Sequence, residues 1–291
     1  MRFNRFVVVP LAVLALGVMP ACSGEAGDDE NPDSGTTVDA GTGGNTDAGT
    51  GGNRDAGTVV TFPDAGTDPG TSPAGTCPAG AAICETFDKG LNGWNPSSEN
   101  ATIGAEGGRL RVVTAAGPNE DVTPNVQAIA KWGKAMPTFQ TQLWVRAHVY
   151  MDSLPKVFGM MGTFFVVWNL EDNDFGGIEL QAISDGAFAL DNWTGRGTGW
   201  NRPDAVPPAR LVARKWMCLE WEIRRDSPTA SLGIARAYVD GALHYEFTNV
   251  GMRGFKNISV GYGYVHPKGA SDSLTYYDNL VVSSSARIGC Q

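Results

Sequence analysis

Gln142, Trp144, Arg146, His148 and Tyr150 alternate with Leu143, Val145, Ala147 and Val149. A strand through this stretch puts five aromatic or hydrogen-bonding side chains on one face and an apolar row on the other. Flat rings stack on the faces of sugars and planar polar groups read their hydroxyls, so the chemistry suited to the first face is recognition of a polysaccharide or other glycan. The same pattern also fits an outer face covered by a loop. A second polar row runs through Glu179 and Gln181, then Asp191 and Trp193, with Trp200 in a Gly- and Pro-rich loop, 194 to 208, that can rim a groove. Glu220 and Glu222 share one strand face, as the paired carboxylates of a retaining glycosidase can.

Strands have to hold these groups, and the clearest lie between Arg214 and Val250. Met217, Leu219, Trp221 and Ile223 point one way and Trp216, Cys218, Glu220 and Glu222 the other. Further on, runs 234 to 239 and 242 to 247 flank Asp240-Gly241, the dipeptide that supplies two positive φ angles for a type I′ hairpin. Three antiparallel strands follow. Similar runs cover 82 to 87, 109 to 114, 127 to 132, 140 to 151, 163 to 169, 177 to 183, 187 to 193, 255 to 265 and 273 to 284, and no apolar segment keeps a 3.6-residue period for ten residues. The expected class is all-β, with two antiparallel sheets packed as a sandwich over residues 77 to 291.

Ahead of that domain, Arg2 and Arg5 precede an apolar run from Phe6 to Met19 and then Pro20-Ala21-Cys22, the pattern of an export signal in residues 1 to 22. Residues 23 to 76 have no apolar periodicity and repeat Asp-Ala-Gly-Thr at Asp39, Asp47, Asp55 and Asp64. Such composition predicts a disordered tether, spanning roughly 40 Å as a Gly-rich coil. The tether's ten acidic residues against Arg54 account for the whole chain's net charge of −9, so the domain itself is nearly neutral. No basic stripe predicts binding to nucleic acid. Of the five cysteines, the four after Cys22 suit two disulfides in an oxidising compartment. Three pairings are possible. The preferred one joins Cys77 to Cys84 across a short turn and Cys218 to Cys290.

The order of landmarks carries a resemblance: Cys-Glu-Thr-Phe-Asp at 84 to 88, Gly-Gly-Arg-Leu-Arg-Val at 107 to 112, Trp-Val-Arg-Ala-His-Val-Tyr at 144 to 150, Trp-Met-Cys-Leu-Glu at 216 to 220, Tyr-Val-Asp-Gly at 238 to 241 and Tyr-Tyr-Asp-Asn-Leu-Val-Val at 276 to 282. It resembles the concanavalin A-like lectin and glucanase jelly rolls, in particular the branch with laminin G-like modules, carbohydrate-binding modules and polysaccharide lyases. Ala-Cys at 21 and 22 resembles a lipoprotein lipobox, which implies that Cys22 carries the lipid that holds the protein to a membrane.

The fold resemblance implies a concave sheet on which Gln142, Trp144, Arg146, Tyr150, Glu179, Trp193 and Trp200 bind glycan. It also implies a second possibility, β-elimination on a uronic-acid polymer, with Arg146 and Gln181 neutralising the carboxylate and His148, Tyr262 and Tyr264 moving protons. Glu220-Trp221-Glu222 lacks the central Asp and the spacing of this fold's retaining glucanases. Glu85 and Asp278, on early and final strands expected to be neighbours, are implied ligands of a structural Ca²⁺. The reading is of an exported, lipid-anchored cell-surface protein whose jelly roll binds polysaccharide, with a lyase or a structural adhesion module as the alternatives.

Overall fold

The computed structural model describes residues 69–117, 127–156, 162–193 and 195–290. The signal, Cys22 and most of the tether lie outside the described residues.

Fifteen strands follow one another, with no helix among the described residues: β1 (Ile83–Glu85), β2 (Asn95–Glu99), β3 (Ala101–Glu106), β4 (Arg109–Thr114), β5 (Ala128–Ala135), β6 (Gln142–Met151), β7 (Gly162–Asn169), β8 (Gly176–Ala182), β9 (Phe188–Asn192), β10 (Trp200–Asn201), β11 (Met217–Arg224), β12 (Leu232–Val239), β13 (Ala242–Gly251), β14 (Asn257–Tyr264) and β15 (Ser273–Ser283). They form two antiparallel sheets. The first runs β13-β12-β11-β6-β15-β4-β3, with β1 also paired to β15, and the second runs β10-β9-β8-β7-β14-β5-β2.

Alternation decides what each sheet buries. Val145, Ala147 and Val149 of β6, Leu219, Trp221 and Ile223 of β11, and Tyr277, Leu280 and Val282 of β15 meet Phe165 and Val167 of β7, Ile178 and Leu180 of β8, and Ile258, Val260 and Tyr262 of β14 in one continuous core. Trp221 is wholly buried there, and truncating such a residue costs about 3–5 kcal/mol. The β12–β13 hairpin turns at Asp240 and Gly241, with φ of 50° and 81°, the pair of positive values a type I′ turn requires.

Disulfides join Cys77 to Cys84 and Cys218 to Cys290, with Cα separations of 5.8 and 5.7 Å. Part of the stretch whose composition reads as tether packs on the domain: Trp216 Nε1 donates to Pro69 O, Arg109 to Gly70 O and Asn279 Nδ2 to Pro73 O.

Candidate functional site

The β6 row does lie on one face, but that face is covered. Two segments cross it: that from Pro69 to Thr76, and the one after Ser283. Gln142 Nε2 donates to Ser285 O at 2.7 Å. Trp144 packs on Tyr238 beneath the Arg287 guanidinium. Arg146, 1% exposed, donates from Nη1 to Gly289 O and from Nη2 to Thr76 O. Tyr150 packs against Trp216 and Tyr276. The expectation that Gln142, Trp144, Arg146 and Tyr150 read a glycan is therefore corrected: Gln142 and Arg146 donate to the covering segments, and the Trp144 and Tyr150 rings pack on other side chains of the domain. Burial lowers the Arg146 pKa against the pull of Glu220, directly opposite on β11. Burial, then the Arg146 charge, pushes His148 down to about 4, so it stands neutral beside Asn279.

The five residues of the elimination scheme are dispersed over three layers. Arg146 and His148 are on the outer face of the first sheet. Tyr262 and Tyr264 point into the core, where Tyr262 packs on Phe164 at 5.2 Å between centroids and burial drives its hydroxyl pKa well up. Gln181 is on the outer face of the second sheet. No single sugar reaches all five, so this assignment of roles is corrected as well.

Glu220 and Glu222 are not a catalytic pair either. The first accepts from Arg287 Nη2 at 2.6 Å and Gly289 N at 2.8 Å, the second from Arg236 Nη1 and the Tyr238 hydroxyl.

Glu85 and Asp278 fall on neighbouring strands but opposite faces. Glu85 pairs with the inward Leu280, and its carboxylate accepts from Phe87 N, Asn92 Nδ2 and Trp94 Nε1. Asp278 pairs with the outward His148 and is bonded by Ser72 Oγ and Asn279 N. No group of three or more His, Cys, Asp or Glu side chains among the described residues is arranged to hold a metal ion.

The second sheet's outer face is the better-furnished surface. The register sets Trp200 opposite Asp191 and Asp191 opposite Glu179, so three strands present an indole and two carboxyls in one line. Directly opposed side chains on one sheet face have Cβ atoms about 4.5–5.5 Å apart. Glu179 accepts from Thr163 Oγ1 at 3.1 Å and Gln181 Nε2 at 3.3 Å. Burial, and then the Glu179 charge, raises Asp191 to about 6. Below about pH 6 Asp191 keeps its proton and can donate a hydrogen bond, and near neutral pH it is mostly the carboxylate, an acceptor.

The aromatic groups of this face gather at one end. Trp193 lies over Gly177, where a Cβ would collide with the indole, and meets the Phe175 ring at 5.8 Å. Trp168, paired with Gly177 on β7, rests on Gly133 across the sheet. Phe175 is 48% and Trp200 38% exposed. The loop after β10 closes the opposite margin through Val206, which packs on Ile183, Ala187 and Ala189. Glu179, Gln181, Trp193 and Trp200 are thus brought to one face, joined by Asp191. Sequence reasoning missed Trp168 and Phe175. The signal for Trp168 was present, since Phe165 and Val167 alternate inward and place Val166 and Trp168 outward.

No family model matches the sequence, and no curated protein matches it. Solved structures do. A sialidase is 18% identical over 71% of this chain, with a TM-score of 0.48, and this chain spans only 19% of its length. An alginate lyase from Aplysia kurodai is 13% identical over 67% of this chain and 90% of its own, with a TM-score of 0.46. An endo-β-1,4-glucuronan lyase from the fungus Trichoderma reesei is 13% identical over 71% of this chain and 92% of its own, with a TM-score of 0.43. No residue role passes across at such values. The strand pairing makes the domain the two-sheet antiparallel jelly-roll sandwich that the concanavalin A-like resemblance implies.

Proposed function

We propose that the domain binds polysaccharide on the outer face of its second sheet, and that the protein is exported and held at a cell surface by lipid on Cys22. The observation that carries the binding reading is the line Trp200, Asp191 and Glu179, flanked by Trp168, Trp193 and Phe175. The exposed Trp200 beside two carboxyls, with the exposed Phe175 and the half-buried Trp168 and Trp193 on the same face, offers stacking planes and hydroxyl readers together, the combination a sugar chain requires. The two disulfides support an oxidising, extracytoplasmic address.

A glycan array, followed by affinity electrophoresis on the polymer it identifies, tests the face. Trp200→Ala should weaken binding by about 1–3 kcal/mol, by analogy with base–aromatic stacking. Gln142→Ala, on the covered face, should leave it unchanged. Loss of binding in the Gln142 variant with retention in the Trp200 variant would return the site to the first sheet. Export and anchoring are tested separately: Cys22→Ser should release folded protein from membranes, and a membrane-retained variant would remove the lipid.

A further inference from the structure

Carboxylates elsewhere in the domain are matched by cations: Glu220 by Arg287, Glu222 by Arg236 and Asp240 by Lys215. Glu179 and Asp191 are not. Among the described residues neither forms an ion pair: Glu179 accepts from the neutral Thr163 hydroxyl and Gln181 amide, and the one donor acting on Asp191 is the Asn192 main-chain N–H. Both Glu179 donors reach the same oxygen, Oε2, at 3.1 and 3.3 Å, and neither reaches Oε1. The charge that acts on Asp191 is the negative one of Glu179, its partner across the strand pair. Along the same row the register continues through Val166, Ser259 and Gly133, none of them basic.

A third group adds to the same need. Gln181, 2% exposed, donates from Nε2 to Glu179 Oε2, which sets its amide against the acid pair, and the other atom of that amide, Oε1, is buried with no hydrogen-bond partner among the described residues. A buried acceptor without a donor is destabilising, and a donor carried in by a ligand relieves it. What the cluster holds open is therefore acceptors: the Asp191 carboxylate, Glu179 Oε1 and Gln181 Oε1. A sugar hydroxyl brings one donor, and an acetamide brings one N–H together with a carbonyl of its own. An ammonium brings three donors, no acceptor and a positive charge. Indole faces attract such a cation as well, and Trp200 stands directly opposite Asp191 in the row. A carboxylate or sulfate on the sugar would meet two charges of its own sign.

We propose that this face selects polysaccharides bearing free amino groups, with the ammonium seated among Glu179, Asp191 and Gln181. The inference rests on the polysaccharide reading above and adds to it the class of sugar. The test is calorimetric titration of the full chain with the β-1,4-linked tetramers of glucosamine, N-acetylglucosamine, glucose and glucuronate, which share one backbone and differ in the group it carries. Titrations run at low salt and about pH 6.5, where the Asp191 carboxylate predominates. The glucosamine tetramer should bind at least tenfold more tightly than the glucose and N-acetylglucosamine tetramers, and the glucuronate tetramer should bind weakest. Glu179→Gln and Asp191→Asn, which keep shape and remove charge, should each erase most of that margin, with urea midpoints showing that both variants are folded. Equal affinity for the glucosamine and glucose tetramers, or a margin indifferent to both substitutions, would overturn the selection. Tetralysine binding as tightly as the glucosamine tetramer would overturn the sugar as the carrier of the amine. Trp200→Ala should weaken every tetramer that binds. If no tetramer binds, the selection falls, while a glycan whose binding Trp200→Ala abolishes still upholds the polysaccharide reading.

Discussion

Removing the two disulfides one at a time should destabilise the domain unequally. Cys218–Cys290 spans a sequence separation of 72 and Cys77–Cys84 one of 7. A cross-link restricts the unfolded chain in proportion to the logarithm of the loop it closes. For loops of these lengths the restriction is about 4.4 and about 2.4 kcal/mol at 25 °C. In a domain of this size each kcal/mol moves Tm by about 2–4 °C, so Cys218→Ala with Cys290→Ala should lower Tm by about 9–18 °C, and the Cys77 and Cys84 double variant by about 5–10 °C. The tail stays attached in the native state, because Glu220 still accepts from Arg287 and Gly289 N. The loss therefore arises in the unfolded ensemble, and the urea m-value should rise as that ensemble expands. Equal losses, or a larger loss from the short bridge, would refute the entropic reasoning and place the stabilisation in native contacts of the covered face.

Three further outcomes follow from the buried ionisable groups. His148 is held at about 4 against an ordinary 6.5, so between those values the unfolded chain binds the proton and the native chain does not. Its contribution is present above pH 6.5 and is lost as pH falls toward 4, and His148→Gln should flatten that part of a Tm–pH curve. Asp191, raised to about 6 from 3.8, has the opposite sign: the native state keeps the proton in that window, and the contribution is lost as pH rises through 6. Asp191→Asn should accordingly raise Tm at pH 7 more than at pH 4, and an equal change at both would mean no such shift. Glu85→Ala strands the Phe87 and Trp94 N–H donors and should cost about 3 kcal/mol by urea denaturation, with under about 1 kcal/mol showing that water replaces the carboxylate.

The strands from β11 to β13 were legible because alternation and Asp240-Gly241 are local signals. β2 was not: Asn95–Glu99 reads Asn-Pro-Ser-Ser-Glu and is exposed throughout, so no apolar period marks it. β10, two residues long, carries no pattern at all. On β6, alternation correctly told which side chains share a face but could not tell what lies over that face. Its cover comes from Pro69–Thr76 and the tail after Ser283, both distant in sequence and without periodicity. Tyr262 and Tyr264 are different, since Ile258 and Val260 share their parity and already point all four inward. Gly261 and Gly263, beside the tyrosines, hid that parity by making the outward positions look empty. The Asp191–Glu179–Trp200 line needed the pairing register, which only the fold supplies.

One guanidinium, that of Arg146, touches main-chain carbonyls from both ends of the domain, Gly289 and Thr76. The segments that precede β1 and follow β15 therefore meet over the middle of one sheet, so the order in which the strands are connected is separable from the architecture they build. A few Gly and Ser residues can close the two ends into a circle, and the ring can be reopened at the exposed Asp240-Gly241 turn. In such a circular permutant β12 would finish the polypeptide and β13 would begin it, with every sheet neighbour preserved.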